Sequence, residues 1–236
     1  MTGAARGQGI AIVARLVAQD YDVVACDVLR DELSAATSGL PPDRLLALEL
    51  DVSSGASWAS AVEATRERFG GLDALVNNAG ILYRAPLADD DPAAFERAWR
   101  VNCLGPMLGI QTCLPLLRDS ASAAVVNTVS SSGMHPFPNH AGYTSSKWAL
   151  RGLTLAAAAE LGLLGIRVNA VFPGPIATPM HDAETTHRLA SAALLGRVGE
   201  AGEVAAAVAF LLSPDASFVV GAELLVDGGQ LLRIGT

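Results

Sequence analysis

The stretch TGAARGQG at residues 2–9 runs directly into IAIVARL at residues 10–16, which has the composition of a helix. Glycines lack a Cβ atom, so such a loop lets a pyrophosphate group approach the backbone at a helix N-terminus. Alone the loop is a weak signal, because an ordinary glycine turn has the same composition. The stretch predicts a phosphate-binding turn, provided that the rest of the chain has the matching α/β pattern.

Short apolar runs of strand length alternate with longer amphipathic runs along the whole chain. This alternation is typical of βαβ units, in which helices cover both faces of a parallel sheet. We therefore predict an α/β fold with a doubly wound parallel sheet, in one domain spanning residues 1–236. The predicted strands are Asp22–Cys26, Leu45–Leu50, Ala74–Val76, Ala123–Val129, Arg167–Phe172 and Leu224–Val226. The predicted helices are Ile10–Ala18, Trp58–Phe69, Pro92–Leu117, Tyr143–Leu161 and Gly202–Leu212.

The usual first strand of such a fold is missing. A doubly wound fold needs an apolar strand ahead of its glycine-rich turn, yet only Met1 and Thr2 precede Gly3. This strand would be central, so its loss leaves unpaired backbone groups inside the sheet at a cost of several kcal/mol. The recorded start lies downstream of the true one, or a neighbouring molecule fills the gap, or the fold is compromised. We expect the first.

The composition excludes several classes of protein. With 51% hydrophobic and 17% charged residues the chain is not disordered, and its net charge of −8 argues against a nucleic-acid partner. No apolar run approaches the roughly 18 residues that a membrane span needs, so we expect no membrane partner. Cys26, Cys103 and Cys113 form no CxxC pair and lie in apolar segments, which indicates reduced thiols and a cytoplasmic location.

An acidic residue follows the glycine loop at the spacing that a dinucleotide site requires. Asp27 ends the next strand 20 residues after Gly7, where a carboxylate accepts both adenosine ribose hydroxyls and repels a 2′-phosphate. Arg6 could bind such a phosphate, but Val28 rather than a basic residue follows Asp27. We therefore expect NAD, with NADP less favoured. Asp51, just before Val52, either binds the adenine amino group or caps a helix.

Two later stretches carry candidate chemistry. LVNNAG at residues 75–80 ends a strand in two amides and two small residues, which suits close backbone passage but also an ordinary turn. Tyr143 and Lys147 are four residues apart on one helix face, where an ammonium can lower the pKa of a phenol, and Ser130 precedes Tyr143 by thirteen residues. Lys147 is the single lysine among 16 basic residues, which favours a chemical role over a solvated surface position.

Together these stretches resemble the classical short-chain dehydrogenase/reductase family over essentially the whole chain. Residues 2–9 are similar to its TGxxxGxG motif, residues 77–80 to its NNAG motif and residues 143–147 to its YxxxK motif. Pro173-Gly174 and Thr178 resemble its PG segment and its nicotinamide-contacting threonine. The cofactor-binding residues that the resemblance implies are Gly3, Arg6, Gln8, Gly9, Asp27, Asp51, Val52, Asn78, Ala79, Gly80, Tyr143, Lys147, Pro173, Gly174, Ile176 and Thr178.

The resemblance also implies a catalytic tetrad of Asn102, Ser130, Tyr143 and Lys147. In this scheme Ser130 hydrogen-bonds the substrate oxygen and Tyr143 exchanges a proton with it, while hydride moves to or from the nicotinamide. Lys147 binds the ribose and lowers the pKa of Tyr143, and Asn102 holds a water that relays protons. No metal is expected, because His181, Asp182, Glu184 and His187 have unequal spacing.

The same resemblance places mostly apolar segments around the substrate, after Gly80, Gly133 and Thr178. The expected substrate contacts are Ser130, Tyr143, Tyr83, His135 and Met180, although for His135 a solvated loop position is the favoured interpretation. Few positive charges face this pocket, which disfavours phosphorylated or CoA-type substrates. Residues 143–180 and 221–229 are most similar to the bacterial hydroxysteroid dehydrogenases of the 3α/20β type.

The sequence thus predicts an NAD-dependent oxidoreductase that interconverts a secondary alcohol and a ketone on an apolar cyclic or lipid-like molecule. One alternative is an NADPH-dependent 3-oxoacyl reductase. A second, suggested by the missing strand, is a non-catalytic nucleotide-binding or assembly subunit. The apolar surface left over by one small domain predicts self-association, and the resemblance suggests a homotetramer or homodimer.

Overall fold

The computed structural model describes residues 1–177 and 183–233, with only the backbone of residues 183–185. Strands and helices alternate along the chain, which confirms the predicted α/β class. The strands are β1 Val23–Asp27, β2 Leu45–Glu49, β3 Ala74–Asn77, β4 Ala124–Thr128, β5 Arg167–Pro173 and β6 Glu223–Val226. The helices are α1 Gly7–Val17, α2 Arg30–Thr37, α3 Gly55–Phe69, α4 Pro92–Trp99, α5 Gly105–Asp119, α6 Ala141–Leu161, α7 Ala183–Ala192 and α8 Ala201–Leu212.

Each strand in the described residues pairs parallel to its neighbour. β1 pairs with β2, and β3, β4, β5 and β6 pair in that order. Apolar side chains of α1 and α8 pack with the strands into one buried cluster, which includes Ile12, Val126 and Val208. A second cluster contains Trp58 of α3 and Leu117 of α5. Among the described helices, none is long and apolar enough to cross a membrane.

Met1 and Thr2 lie between β1 and β3 and form backbone hydrogen bonds with both strands, as the end of a strand would. Cys26 N donates to Met1 O at 2.8 Å, and Thr2 N donates to Val76 O at 3.0 Å. A cavity of about 620 Å³ continues this line between the two strand edges and is lined by Met1, Val24, Ala74 and Val76, among others. We call it the inter-strand cavity. As predicted, no full strand lies between β1 and β3, so the described strands form two sheets.

The predicted helix Pro92–Leu117 is helical throughout, but it contains a π-helical turn that the sequence did not predict. α4 ends at Trp99, a π-helical turn spans Arg100–Leu104, and α5 begins at Gly105. Pro106 has no amide hydrogen, so it cannot donate to the carbonyl of Asn102 four residues earlier. The carbonyl of Asn102 therefore lacks the i+4 donor that a regular α-helix would supply.

Candidate active site

Tyr143 and Lys147 lie one turn apart on α6, as their spacing predicts. Lys147 is only 3% exposed, and its Nζ lies 5.8 Å from the centre of the Tyr143 ring. The same ammonium donates to the carbonyl of Thr128 at the end of β4, at 2.9 Å. Burial lowers the pKa of Lys147 to about 8, because a desolvated ammonium is disfavoured. The single lysine is thus a buried group facing the candidate catalytic phenol.

Ser130 follows β4 and lies within hydrogen-bonding reach of the Tyr143 phenol. This hydrogen bond lowers the pKa of Tyr143, but the larger effect is burial, which raises it. The expectation that Lys147 depresses the pKa of Tyr143 is therefore not met by this geometry, because desolvation of the phenolate dominates. Ser130 is itself oriented by the amide of Ser132, which donates to its Oγ at 3.1 Å.

Asn102 is completely buried in the π-helical turn, and its side-chain amide is fully used. Its Oδ1 accepts from Ile81 N at 2.8 Å, and its Nδ2 donates to Ile81 O at 3.0 Å and to Ser146 Oγ at 2.9 Å. A Cβ atom on Gly80 would lie 3.2 Å from Asn102 Oδ1 and 3.4 Å from Lys147 Nζ. The structure therefore brings Asn102, Gly80 and Lys147 together, as predicted.

The backbone of the glycine loop packs so closely that Gly3 and Gly9 have no room for a side chain. A Cβ atom on Gly9 would lie 1.8 Å from Gly3 O, and one on Gly3 would lie 2.7 Å from Ala79 Cα. Gly3 also has a φ of +65°, which other residues rarely adopt. Arg6 is the N-cap of α1 and its side chain caps no amide. Gly9 N donates to Arg6 O at 3.0 Å, which leaves the amides of Gly7 and Gln8 as the donors that an anion would bind.

Asp27 reaches this loop from the end of β1. Its Oδ2 accepts from Ala5 N at 2.9 Å, and its Oδ1 accepts from Leu29 N at 3.0 Å. The carboxylate therefore lies beside the predicted phosphate-binding turn, as its spacing indicated.

The structure does not show the capping alternative for Asp51, because the N-cap of α3 is Ser54, whose hydroxyl accepts from Ser57 N at 3.3 Å. Asp51 Oδ1 accepts from the amide and the hydroxyl of Ser53, at 2.9 and 2.7 Å. Its neighbour Val52 is 7% exposed, and the carbonyl of Val52 accepts from Trp58 Nε1 at 3.0 Å. The bond between Val52 and Trp58 therefore holds the loop that follows β2 against helix α3.

The segment after β3 is joined to the glycine loop by Thr2. The Thr2 hydroxyl accepts from the amides of Asn78 and Ala79, both at 3.1 Å. Asn78 Nδ2 in turn donates to Gly3 O at 3.1 Å. The two predicted cofactor-binding segments, residues 3–9 and 78–80, are therefore held side by side.

On the far side of the site, Pro173 ends β5 and Gly174 passes close to Asp227. A Cβ atom on Gly174 would lie 2.7 Å from Asp227 Cα. Ile176 is 5% exposed and pairs with Gly199 in an isolated bridge, so this segment is fixed as a strand-like edge. The predicted site residues Thr178 and Met180 lie outside the described residues.

Two loops meet beside the catalytic residues and form a wall. The Tyr83 hydroxyl is buried at the start of α6, where a Cβ atom on Gly142 would lie 2.1 Å from it. Burial and the neighbouring Asp90 raise the pKa of Tyr83 to about 12. Arg84 Nε donates to His140 Nε2 at 3.0 Å. We call residues 81–86 with 134–140 the clasped loops.

Among the predicted substrate contacts, Tyr83 thus packs its hydroxyl against helix α6. His135 lies on the other clasped loop, with its ring 5.4 Å from the ring of Phe137 in an edge contact. Its ring is therefore part of an aromatic cluster.

Residues 3–230 match the family profile described as enoyl-(acyl carrier protein) reductase. The chain is 38% identical over 238 residues to trans-4-hydroxycyclohexanecarboxylate dehydrogenase of Sinomonas cyclohexanicum, covering 98% of this chain and 91% of that one. It is 38% identical over 231 residues to the 3-alpha-(or 20-beta)-hydroxysteroid dehydrogenase of Mycobacterium tuberculosis H37Rv, covering 98% and 88%. A crystal structure of levodione reductase superposes with a TM-score of 0.93 at 35% identity, covering 100% of this chain and 96% of that one. The chain belongs to the short-chain dehydrogenase/reductase family.

As a short-chain dehydrogenase/reductase, the protein is an oxidoreductase that uses a nicotinamide cofactor. This confirms the resemblance inferred from the glycine loop and the Tyr143–Lys147 pair, and it confirms the predicted enzyme class.

Three residues that shape the site of this dehydrogenase were given no role of their own from the sequence. Thr2 joins the two cofactor-binding segments, Ser146 receives the Asn102 amide, and Glu32 pairs with Arg6 through both carboxylate oxygens. Ser146 lies between Tyr143 and Lys147 in sequence, and this position is the one feature that could have indicated its role. Glu32 was missed because helix α2, which carries it, has no clear apolar period.

Proposed function

We propose that this protein is a single-domain, NAD-dependent dehydrogenase that interconverts a secondary alcohol and a ketone on an apolar cyclic or lipid-like substrate. The observation that carries the proposal is the convergence of Ser130, Tyr143 and buried Lys147 at the carboxyl end of β4, beside the glycine loop and Asp27. A pure binding module would have no physical need to bury its single lysine beside a phenol.

The residues present fit a nicotinamide dinucleotide. The uncapped first turn of α1 and the close-packed Gly3 and Gly9 suit a pyrophosphate, and Asp27 suits the adenosine ribose hydroxyls. Lys147 supplies an ammonium for the other ribose. When bound, the nicotinamide supplies hydride to the carbonyl carbon of a ketone or takes it from the carbinol carbon of an alcohol.

Side chains of the protein transfer the proton that accompanies the hydride. In the reductive direction Tyr143 gives its phenolic proton to the substrate oxygen, while the Ser130 hydroxyl donates a hydrogen bond to that oxygen. The carbonyl of Asn102, which Pro106 leaves without its usual helical donor, is the acceptor that we assign to a proton-relaying water.

The substrate class is supported by the clasped loops and by the relatives. Ile81, Leu82, Met134 and Phe137 make this wall largely apolar, and a charged substrate group would find few cationic partners there. The relatives' names specify a hydroxycyclohexane carboxylate, hydroxysteroids and levodione. We propose that this chain also acts on a cyclic alcohol or ketone. The assay below is designed to identify the individual substrate.

We also propose a homotetramer, with a homodimer as the smaller option, in the cytoplasm. Several large apolar side chains are exposed in the described residues, among them Trp148 and Leu155 on α6 and Phe218 near β6. Large apolar side chains left exposed in this way are typical of subunit contacts. The three buried thiols are free, as a reducing compartment favours. Sedimentation of the purified chain as a monomer at micromolar concentration would contradict the assembly.

The function is tested with purified protein, NAD and a panel of cyclic, steroid, terpenoid and aliphatic secondary alcohols, followed as NADH absorbance. We expect turnover on cyclic alcohols, and loss of at least about a thousandfold in kcat for Tyr143→Phe, since the proton donor is removed. Tyr21→Phe removes a phenol outside the site and serves as the matched control. Equal activity of Tyr143→Phe and the parent would refute the proposal, and faster turnover with NADPH would refute the choice of cofactor.

A further inference from the structure

Arg6 and Glu32 form a two-point ion pair across the end of the glycine loop. Arg6 Nε and Nη2 donate to the two carboxylate oxygens of Glu32, so the guanidinium presents its planar edge to one acid. Arg6 is the N-cap of α1 and Glu32 lies in the first turn of α2. The pair thus bridges the elements on either side of Asp27.

Asp27 belongs to the same charged group. Its carboxylate accepts from Ala5 N, the residue before Arg6, and its charge acts together with that of Glu32 to raise the pKa of Arg6. Asp27, Glu32 and Arg6 carry −1, −1 and +1, so the group has a net charge of −1. A second phosphate on the ribose that Asp27 faces would enter a negative region in which the guanidinium of Arg6 is already bound to Glu32.

The pair contributes little to the stability of the fold. The side chains of Arg6 and Glu32 are 62% and 44% exposed, and water screens exposed ion pairs so that they add little to folding stability. Its placement therefore matters more for what can bind beside it than for folding.

We propose that Glu32 is a second determinant of cofactor choice, which disfavours NADP by occupying the guanidinium of Arg6 that would otherwise bind a 2′-phosphate. This inference rests on the proposed NAD-dependent function and deepens it. Asp27 repels the 2′-phosphate directly, whereas Glu32 removes the cation that would attract it. The proposal therefore predicts that the effect of Glu32 exists only while Arg6 is present.

The test compares Glu32→Gln with Asp31→Asn, which removes the same charge from the neighbouring exposed residue of the same turn. Calorimetric titration with adenosine 2′,5′-bisphosphate and with 5′-AMP measures binding directly, at about 0.15 M ionic strength so that distant charges are screened. We expect Glu32→Gln to bind the bisphosphate about tenfold more tightly, while 5′-AMP changes less than about twofold. Asp31→Asn should change neither ligand by more than about twofold.

The double variant Arg6→Gln/Glu32→Gln decides the mechanism. We expect the tenfold gain to disappear, and the same pattern to appear in kcat/KM with NADP. A gain that survives without Arg6 would assign the phosphate to another cation, such as Arg30, and would overturn the proposal, as would an unchanged Glu32→Gln. Thermal midpoints within about 2 °C of the parent confirm that each variant is folded. If the parent itself prefers NADP, the proposed cofactor is wrong, whatever Glu32→Gln does.

Discussion

Asn102 and Ser146 are joined by a buried hydrogen bond of 2.9 Å, which ties the π-helical turn to helix α6. Ser146 Oγ donates in turn to the carbonyl of Tyr143 at 2.7 Å. The backbone of the candidate proton donor is therefore connected through one serine to the turn that carries the candidate relay residue. We interpret Asn102 as a positioning residue as well as the source of a carbonyl to which Pro106 cannot donate.

Replacing Asn102 should impair both folding and catalysis. Asn102→Ala leaves the amide and carbonyl of Ile81 and the hydroxyl of Ser146 without their partner, and we expect a loss of about 2–4 kcal/mol in the free energy of unfolding. We also expect kcat per folded molecule to fall more than tenfold, because the π-helical turn and α6 lose their connection. Denaturant unfolding and steady-state kinetics measure the two effects.

Asn169 provides the matched control for this variant. It is equally buried, and its side chain bonds Val219 O and Ala222 N, both at 2.9 Å. Asn169→Ala should cost a similar stability but leave kcat of the folded fraction within about twofold. If the two variants lose kcat equally, Asn102 has no special part in the site.

Lys147 should make stability depend on pH in a defined window. Its pKa falls from 10.5 to about 8 on folding because the ammonium is buried. Between pH 8 and 10.5 the unfolded chain therefore binds more protons than the folded one, so this lysine makes stability rise with pH in that range. Its penalty is complete below pH 8 and absent above pH 10.5.

The measurement compares unfolding free energies of the parent, Lys147→Met and Lys147→Arg from pH 7 to 10.5. Relative to Lys147→Met, which has no charge to bury, the parent should gain stability as the pH rises. Lys147→Arg stays protonated throughout and should show no such gain. Parallel curves for the parent and Lys147→Met would mean that the lysine is not desolvated in the folded protein.

Much of this site could be predicted from the sequence, because its signals are local. The i, i+4 spacing of Tyr143 and Lys147 fixes a shared helix face, and the strand that ends at Asp27 brings a carboxylate to the glycine loop. These placements need only the periods of helices and strands. The alternating apolar runs gave the strand bounds to within a residue or two for the same reason.

The remaining features depend on contacts between distant segments or on a single backbone atom. The π-helical turn at Asn102, next to Pro106 with its missing amide, was not predicted because the hydrophobic period of the helix continues through it. Helix α2 has little apolar period, since only Leu33 and Thr37 are buried, so neither the helix nor the Arg6–Glu32 pair was predicted. The burial of the Tyr83 hydroxyl beside Gly142 results from two loops meeting, which no local pattern encodes.

Gly142 should be irreplaceable because Tyr83 packs against it. A Cβ atom there would lie 2.1, 2.7 and 2.9 Å from the Oη, Cζ and Cε1 atoms of Tyr83, so Gly142→Ala must displace the ring or the start of α6. We expect a loss of about 1–3 kcal/mol in stability and at least a tenfold fall in kcat, because Tyr143 is the next residue.

The helix offers a control and a rescue for this substitution. Gly152 lies on the same helix with open space around its Cα, so Gly152→Ala should be neutral or stabilising by up to about 1 kcal/mol. Tyr83→Ala combined with Gly142→Ala should recover activity relative to Gly142→Ala alone, since it removes the clashing ring. No recovery would show that Tyr83 is not the obstacle.

The inter-strand cavity should accept added strand residues. Val23 N donates to Arg44 O on the β2 side, so by alternation the amide of Val24 faces the cavity, as does that of Val76 on the opposite edge. Met1 N already donates to Val24 O at 3.0 Å, which is the direction in which a parallel strand would continue. A four-residue extension Val-Ala-Val-Val placed ahead of Met1 would supply partners to both edges and bury its side chains between the helical layers.

We expect this extension to raise the free energy of unfolding by about 2 kcal/mol, from hydrogen bonds worth about 1 kcal/mol each and apolar burial less the entropy of ordering four residues. For a chain of this length that corresponds to a rise of about 4–8 °C in the thermal midpoint. An Asp-Gly-Asp-Gly extension has the same length, but its charged side chains cannot be buried, so it should leave the midpoint unchanged. Equal midpoints for both extensions would mean that the two strand edges do not receive a strand, and the cavity would then be a solvent-filled cleft.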